Sequence, residues 1–101
     1  MNTKEDRLGE IKEKIAKKKS HFREKYGVLQ IGIFGSFTRN EATAMSDLDV
    51  LVTLKEPISY FKFFDLEKEI NALVGIKVDL ATNEAIKLPA RDYIMKDLVL
   101  V

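Results

Sequence analysis

The sequence predicts an α/β fold, with a small mixed β-sheet of about three or more strands and helices packed largely on one face. Three short apolar runs, 31–34, 47–52 and 76–81, have the length, the β-branched residues and the alternation of strands. Two longer stretches, 3–26 and 60–74, carry apolar residues at helical spacing. Strands interleaved with helices in this way are typical of one layer of sheet covered by helices.

The segment from Thr3 to Tyr26 is expected to form a single amphipathic helix that ends at Gly27. The run Lys17-Lys18-Lys19 lies away from the apolar stripe and is predicted to be a solvated face. His21 is expected to be a helix-surface or boundary residue, because the sequence marks no carboxylate partner near it. The stripe itself consists of Leu8, Ile11, Ile15, Phe22 and Tyr26.

The run Ile31–Phe34 is typical of a buried strand, and it stops at Gly35-Ser36. Glycine permits a tight turn and lets a phosphate approach the backbone, while the Ser36 hydroxyl and free amides of a following helix can donate to phosphate oxygens. Arg39 follows four residues after Gly35 and can reach the same phosphates as a permanently charged donor. The alternative for Arg39 is an exposed ion pair with Glu41, which contributes little to stability.

Two carboxylates, Asp47 and Asp49, begin the second strand and project from the same face, because strand side chains alternate. Such neighbouring charges favour a counter-ion, and Mg²⁺ prefers carboxylate and phosphate oxygens. In the third strand Asp79 lies opposite Val78 and Leu80, so its side chain is predicted to leave the core. If the two strands are neighbours, three carboxylates converge and can hold two cations and orient a hydroxyl nucleophile. The alternative for Asp47 and Asp49 is a solvated cap before the strand. The alternative for Asp79 is an acid at the end of a strand that is hydrogen-bonded to a turn.

The stretch after Pro57 is predicted to form a helix that covers the sheet and ends before Gly75. Its aromatic cluster, Tyr60-Phe61-Phe63-Phe64, is expected to lie mostly in the core, with Phe61 as the exposed exception; stacking on a nucleobase is the alternative. A short helical or loop stretch begins at 82–84, and Pro89 starts a last helix. The apolar end 98–101 either contacts a partner or packs on the chain's own sheet.

The Gly35-Ser36 turn, the block SDLDVLV at 46–52 and the strand KVDLAT at 77–82 together resemble the minimal nucleotidyltransferases. These are the small stand-alone members of the DNA polymerase β-like superfamily, so the resemblance implies a polymerase β-like palm. It implies that Gly35 and Ser36 hold a nucleoside triphosphate and that Asp47 and Asp49 bind catalytic Mg²⁺. By the same resemblance Asp79 completes the metal site and helps to deprotonate the acceptor.

The sequence departs from the family pattern at two places near the turn. Family members commonly carry glycine after the arginine, where this chain has Asn40; asparagine tolerates the left-handed conformation, so the turn is expected to survive. The pair Ala44-Met45 replaces a more polar or proline-containing segment, which affects the loop geometry and leaves the acids in place.

The resemblance implies Mg²⁺-dependent transfer of a nucleoside monophosphate, with ATP as the expected donor, to a hydroxyl with release of pyrophosphate. Stand-alone members of the family often occur with a HEPN-type ribonuclease toxin, for which they resemble antitoxins that adenylylate a toxin tyrosine. Two alternatives stay open: an antitoxin that acts by binding alone, and a subunit that modifies a small molecule such as an aminoglycoside.

Composition limits the remaining possibilities. A length of 101 residues with 46% hydrophobic content predicts a single domain, 1–101, and a net charge of +1 gives no footprint of a nucleic-acid binder. Without cysteine, and with His21 as the one histidine, thiolate and multi-histidine zinc sites within the chain are excluded. No apolar run reaches the length of a membrane span and no secretory segment begins the sequence, so a cytoplasmic protein is expected. Homo-oligomer formation through the apolar tail stays possible.

Overall fold

The computed structural model describes residues 4–86 and 88–101. The helices within these residues are α1 (Lys4–Ala16), α2 (Lys19–Tyr26), α3 (Tyr60–Val74) and α4 (Leu88–Asp97). The strands are β1 (Val28–Phe34), β2 (Leu48–Leu54), β3 (Val78–Thr82) and β4 (Val99–Leu100), and short 3₁₀ turns cover Gly35–Phe37 and Asn83–Ala85.

The strands form one mixed sheet in the order β3-β2-β1-β4. The central strands β1 and β2 are antiparallel, β4 pairs antiparallel with β1, and β3 runs parallel to β2. The prediction of an α/β fold with a small mixed sheet is therefore confirmed. The strand boundaries differ from the predicted ones, because β1 begins at Val28 and β2 begins at Leu48, one residue after Asp47.

The two faces of the sheet differ in what covers them. Along β2, Leu48, Val50 and Val52 are fully buried in the hydrophobic core. This core lies between the sheet and α1, α2 and α3, so these helices pack on one face, as predicted. The alternate residues of the strands lie on the opposite face, which we call the open face. Its members include Gly32, Asp49, Leu51, Thr53 and Asp79.

The prediction of one N-terminal helix is wrong, because the chain forms α1 and α2 with a break at Lys17 and Lys18. The Lys17 amide still bonds to the Glu13 carbonyl at 3.2 Å, but the Lys18 amide bonds to Ile15, only three residues back, at 2.9 Å. The break lets α1 pack on α3 while α2 packs on β1 and α3. Gly27 ends α2 in the left-handed conformation (φ 75°), as the sequence predicts.

Helix α3 has the predicted limits, but its aromatic residues do not lie mostly in the core. The stripe that faces the sheet runs through the half-buried Phe63 and the fully buried Leu66 and Ile70. Phe64 lies beside this stripe and is 52% exposed, and the first turn of the helix leaves Tyr60 82% exposed. Phe61, the predicted exception, is 84% exposed. Helical spacing alone did not separate the buried part of the face from the part that extends beyond it.

A polar cluster on the helical side joins α2 to α3. The Glu69 carboxylate lies 2.6 Å from Nε2 of His21 and accepts hydrogen bonds from Lys25, at 3.0 Å, and from the Tyr26 hydroxyl. Burial raises the pKa of Glu69, but the bonds from Tyr26, Lys25 and His21 outweigh it and lower the pKa to about 2. His21 is exposed on α2, as predicted, and its carboxylate partner is 48 residues away in the sequence.

The edge strand β3 is bonded by side chains of α3. The outward amides of Val78 and Leu80 donate to Asn71 Oδ1, at 2.6 Å, and to Glu67 Oε2, at 3.3 Å. Two donors that would otherwise be free at the sheet edge are thus satisfied within the chain.

The C-terminal segment packs on the chain's own sheet. Val99 and Leu100 pair with Ile33 and Gly32, and the Val101 amide donates to the Ile31 carbonyl at 2.9 Å. Pro89 lies in the first turn of α4, near its predicted starting point. Across the described ranges, no helix combines the length and the apolar character needed to cross a membrane.

Candidate functional site

The turn after β1 is closed by the carbonyl of Gly35. That carbonyl accepts the amides of Thr38, at 3.1 Å, and Arg39, at 3.2 Å, and also the Thr38 hydroxyl at 2.9 Å. Gly35 has a φ of 80° and lies against Asp49: a Cβ at this position would stand 3.1 Å from Asp49 Cγ and would collide with Oδ2. Both the backbone angle and the contact with Asp49 therefore require glycine. The half-buried Ser36 follows it in the same turn.

The loop that leads from this turn to β2 is fixed by its own residues. Phe37 and Ala42 are both 4% exposed and belong to the hydrophobic core. The Thr43 amide donates to Ser46 Oγ at 2.8 Å, and the Ser46 amide donates to the Thr43 carbonyl at 3.1 Å. Met45 lies at the tip of this turn and is exposed. The unusual Ala44-Met45 pair is therefore accommodated in an ordinary polar turn.

The sheet aligns the predicted acids with the Gly35 turn. Asp49 pairs with Asp79 across the parallel β2–β3 ladder and with Phe34 across the antiparallel β1–β2 ladder. Asp79 of β3, Asp49 of β2 and Gly35, which directly follows β1, thus form a row across the sheet, which we call the acid row. The predicted adjacency of the second and third strands is confirmed.

The carboxyl of Asp49 is partly buried and lies close to other negative charges. Burial raises the pKa of its carboxyl above the usual range, the negative charges of Asp79 and Asp47 raise it further, and Arg39 opposes the shift. Asp47 is exposed just before β2, and its carboxylate lies 3.9 Å from Nζ of Lys77. Within residues 4–86 and 88–101, no three His, Cys, Asp or Glu side chains form a group that could hold a metal ion.

The donor set of the acid row nevertheless has the chemistry of a magnesium site. Asp49 and Asp79 supply carboxylate oxygens from adjacent strands, and their mutual repulsion is the kind that a divalent cation relieves. One or two carboxylates together with substrate phosphates are the usual ligands of protein-bound Mg²⁺. The residues present therefore fit this ion.

Arg39 lies at the rim of the site and is held by two carboxylates. Its Nε donates to Glu41 at 2.8 Å, and its Nη1 donates to Asp97 of α4 at 2.6 Å. The pair with Glu41 is the alternative that the sequence suggested, whereas Asp97 is 58 residues away and no local signal marks it. Asn40 adopts a φ of 59°, so the expectation that asparagine takes the left-handed conformation here is confirmed.

The chain matches the nucleotidyltransferase domain family over residues 10–101. It belongs to that family. One relative, from Methanocaldococcus jannaschii, is assigned as a protein adenylyltransferase and is 47% identical over 95 residues, which cover 93% of this chain and 97% of the relative. The protein adenylyltransferase MntA of Thermococcus cleftensis is 38% identical over 94 residues, which cover 93% and 95% of the two chains.

Solved structures agree with this family membership at the level of the fold. A structure described as a minimal nucleotidyltransferase superposes with a TM-score of 0.73 at 22% identity, covering 97% of this chain and 95% of that one. A complex of a tri-AMPylated Shewanella oneidensis HEPN toxin with its MNT antitoxin gives a TM-score of 0.68 at 16% identity, covering 91% and 69%. The chain thus has the fold of the minimal nucleotidyltransferases.

Proposed function

We propose that this chain is an antitoxin that transfers AMP from ATP to a tyrosine of a HEPN-type toxin in the cytoplasm, with Mg²⁺ and with release of pyrophosphate. The observation that carries the proposal is the acid row, in which Asp49 and Asp79 lie in register beside the turn at Gly35. Relatives that carry the name protein adenylyltransferase support the donor and the reaction class.

In this proposal the turn binds the phosphates and the acids hold the metal. Gly35 brings the backbone close to the phosphates, Ser36 donates its hydroxyl, and Arg39 exchanges a carboxylate partner for a phosphate oxygen. Asp49 and Asp79 hold the metal, for which two ions are the expected number. Asp47, which is exposed and belongs to no group of three ligands among the described residues, joins them when the ions bind. When bound, Mg²⁺ neutralises the triphosphate and the charge that develops during transfer.

The reaction forms a bond between the acceptor oxygen and the α-phosphorus and breaks the bond from that phosphorus to the pyrophosphate oxygen. Asp79 is exposed at the end of the acid row away from Gly35, where it takes the proton of the acceptor hydroxyl. The pyrophosphate leaves on the side of Gly35 and Ser36. Holding the acceptor in line with the leaving group supplies much of the remaining rate enhancement.

The partner is proposed on different grounds from the chemistry. The S. oneidensis complex joins an MNT antitoxin of the same fold to a HEPN toxin that carries AMP, which supports a protein acceptor for this chain too. The exposed aromatic residues of α3, Tyr60, Phe61 and Phe64, give it apolar surface for a partner.

The test is the intact mass of the candidate toxin, the protein encoded beside this chain, after incubation with the chain, ATP and Mg²⁺. We expect the mass of one or more AMP groups on the toxin, located on tyrosine by fragmentation. Asp49→Asn should lower the rate by about 10³-fold or more, because a charged ligand of the reacting centre is lost. Glu24→Gln changes an exposed carboxylate on α2, away from the acid row and from the aromatic residues of α3, and serves as the control.

A stable complex with the toxin that acquires no AMP would overturn the catalytic part of the proposal and leave an antitoxin that acts by binding. Label found on a small molecule and never on the toxin would instead favour the subunit that modifies small molecules.

A further inference from the structure

Helix α4 lies on the open face of the sheet, and none of its described side chains is buried there. In the stretch 89–97 every side chain is at least partly exposed, including Tyr93 at 76% and Met95 at 42%. Helix α3, by contrast, buries Leu66 and Ile70 in the core. Because buried apolar side chains supply most of the stability of a packed helix, α4 is held to the sheet more weakly than α3 is.

The space between α4 and the sheet is incompletely filled. A cleft of about 190 Å³ opens there, with Arg91 and Met95 of α4 among its lining residues. The close contact lies directly after the helix, where Leu98 packs over Gly32: a Cβ at Gly32 would stand 3.1 Å from Leu98 Cγ. Helix α4 therefore approaches the sheet most closely at its carboxyl end.

That end of α4 is fixed by an ion pair. Nη1 of Arg39 donates to Asp97, the last residue of α4, at 2.6 Å, and the Asp97 side chain is only 21% exposed. A carboxylate at the carboxyl end of a helix faces the negative end of the helix dipole, which is unfavourable unless a cation lies beside it. Within residues 4–86 and 88–101, Arg39 is the one cation that pairs with Asp97.

The same arginine is a phosphate ligand in the proposed function. The Arg39 amide donates to the Gly35 carbonyl at 3.2 Å, so its backbone is fixed to the turn and the side chain is the part that can move. Its Nε and Nη1 are engaged by Glu41 and Asp97. A triphosphate at Gly35 carries more negative charge than either carboxylate and competes for these donors.

We propose that the pair of Asp97 with Arg39 is a latch through which the nucleotide site controls α4. The inference rests on the proposed function, because it takes Arg39 as a phosphate ligand. When the triphosphate draws Arg39 toward Gly35, Asp97 stays partly buried at the negative end of the helix dipole without its cation. The last turn of α4 is then destabilised, and the helix loosens from the sheet.

The latch links the nucleotide site to a surface outside it. Tyr93 and Met95 lie on the helix that loosens, so the surface of α4 differs between the empty and the loaded chain. Such coupling is reciprocal: a partner that presses α4 onto the sheet keeps the ion pair and weakens nucleotide binding by the same factor.

The experiment is amide hydrogen exchange of the full chain, read by mass spectrometry on peptides from α4, with and without saturating ATP and Mg²⁺. We expect ATP to speed exchange in α4 by about two- to fivefold, the range of an exposed ion pair, and to leave α3 unchanged. Inorganic tripolyphosphate should act as ATP does, because the latch responds to the phosphates.

Variants test whether the ion pair is the link. Asp97→Asn should exchange in α4 at the faster rate without ATP, and ATP should add nothing. Arg39→Gln breaks the same pair from the other side and should also loosen α4 without ATP. Asp92→Asn makes the same change at an exposed carboxylate of α4 and should respond as the parent does.

Calorimetric titration of the same samples keeps the two proposals apart. If ATP binds to the parent but exchange in α4 stays unchanged or slows, the latch is overturned and the proposed function stands. A response to ATP that persists in Asp97→Asn also overturns the latch, because the signal then reaches α4 without the ion pair. If the parent binds neither ATP nor tripolyphosphate, the proposed function fails, and the inference fails with it.

Discussion

The two faces of β2 show how one strand serves two purposes. Leu48, Val50 and Val52 point into the core and are fully buried, whereas Asp49 and Thr53, which alternate with them, lie on the open face. Burial of each aliphatic side chain stabilises the fold by roughly 1.5 to 3 kcal/mol. Asp49 acts in the opposite direction, since its raised pKa means that the ionised carboxylate is disfavoured in the folded chain. Stability and candidate chemistry are thus separated by a single alternation of side chains.

The largest loss of stability should come from a cavity in the core between the sheet and α3. Leu66→Ala removes a fully buried side chain and should lower the free energy of unfolding by about 2 to 5 kcal/mol. Phe64→Ala on the same helix changes a half-exposed ring and should cost less than about 1 kcal/mol. Urea unfolding of both variants measures the difference. Equal losses would mean that the exposed aromatic surface of α3 contributes to packing as much as its buried stripe does.

The next effect separates backbone strain from contact with the acid row. Gly35→Ala and Gly75→Ala both place a Cβ on a left-handed residue, which costs about 1 to 2 kcal/mol at each position. A Cβ at Gly75 meets nothing within 4 Å, whereas one at Gly35 collides with Asp49. We therefore expect only Gly35→Ala to weaken binding of ATP with Mg²⁺, by about tenfold or more. The same loss in both variants would assign the effect to strain alone.

An intermediate effect concerns the polar cluster on the helical side. The lowered pKa of Glu69 stabilises the fold above pH 4.5, the ordinary value, and this contribution is lost as the pH falls toward 2. Glu69→Gln should cost about 1 to 3 kcal/mol at pH 7, and its difference from the parent should shrink below pH 4.5. Glu24→Gln, an exposed change on α2, is the control. A difference that stays constant down to pH 2 would refute this assignment.

The smallest effect belongs to the rim of the open face. Asp97→Asn removes one of the two carboxylates that hold Arg39 and leaves Glu41 in place. Because a solvent-exposed ion pair contributes little, freeing Arg39 should tighten ATP binding by no more than about fivefold. Calorimetric titration at low salt measures it. Weaker binding would show instead that Asp97 positions Arg39 for the phosphates.

Of the two faces of the sheet, the open face was easier to predict from the sequence than the face that α1, α2 and α3 cover. Alternation places Asp49 and Asp79 outside the core, and the end of an apolar run marks the Gly35-Ser36 turn. These positions can therefore be predicted from neighbouring residues in the sequence. The roles of these residues in nucleotide and metal binding stay predictions. Asp97 could not be found in this way, because its contact with Arg39 depends on where α4 crosses the sheet.

The helical face was less predictable because its details depend on tertiary packing. Neither glycine nor proline marks the break at Lys17 and Lys18, after which α2 contacts β1 as well as α3. The contact of His21 with Glu69 joins residues that are 48 positions apart. The exposure of Tyr60 depends on how far α3 extends beyond the sheet, which helical periodicity does not encode.

The hydrogen bonds from β3 to α3 have a consequence for how this protein associates with others. A foreign strand that docked alongside β3 would have to displace Asn71 and Glu67 from the amides of Val78 and Leu80. Sheet extension across two molecules, the common route both to β-augmented complexes and to fibrils, is therefore disfavoured at this edge. In the proposed function, recognition of a toxin would then not use this edge, and concentrated solutions of the chain should resist cross-β aggregation that starts from β3.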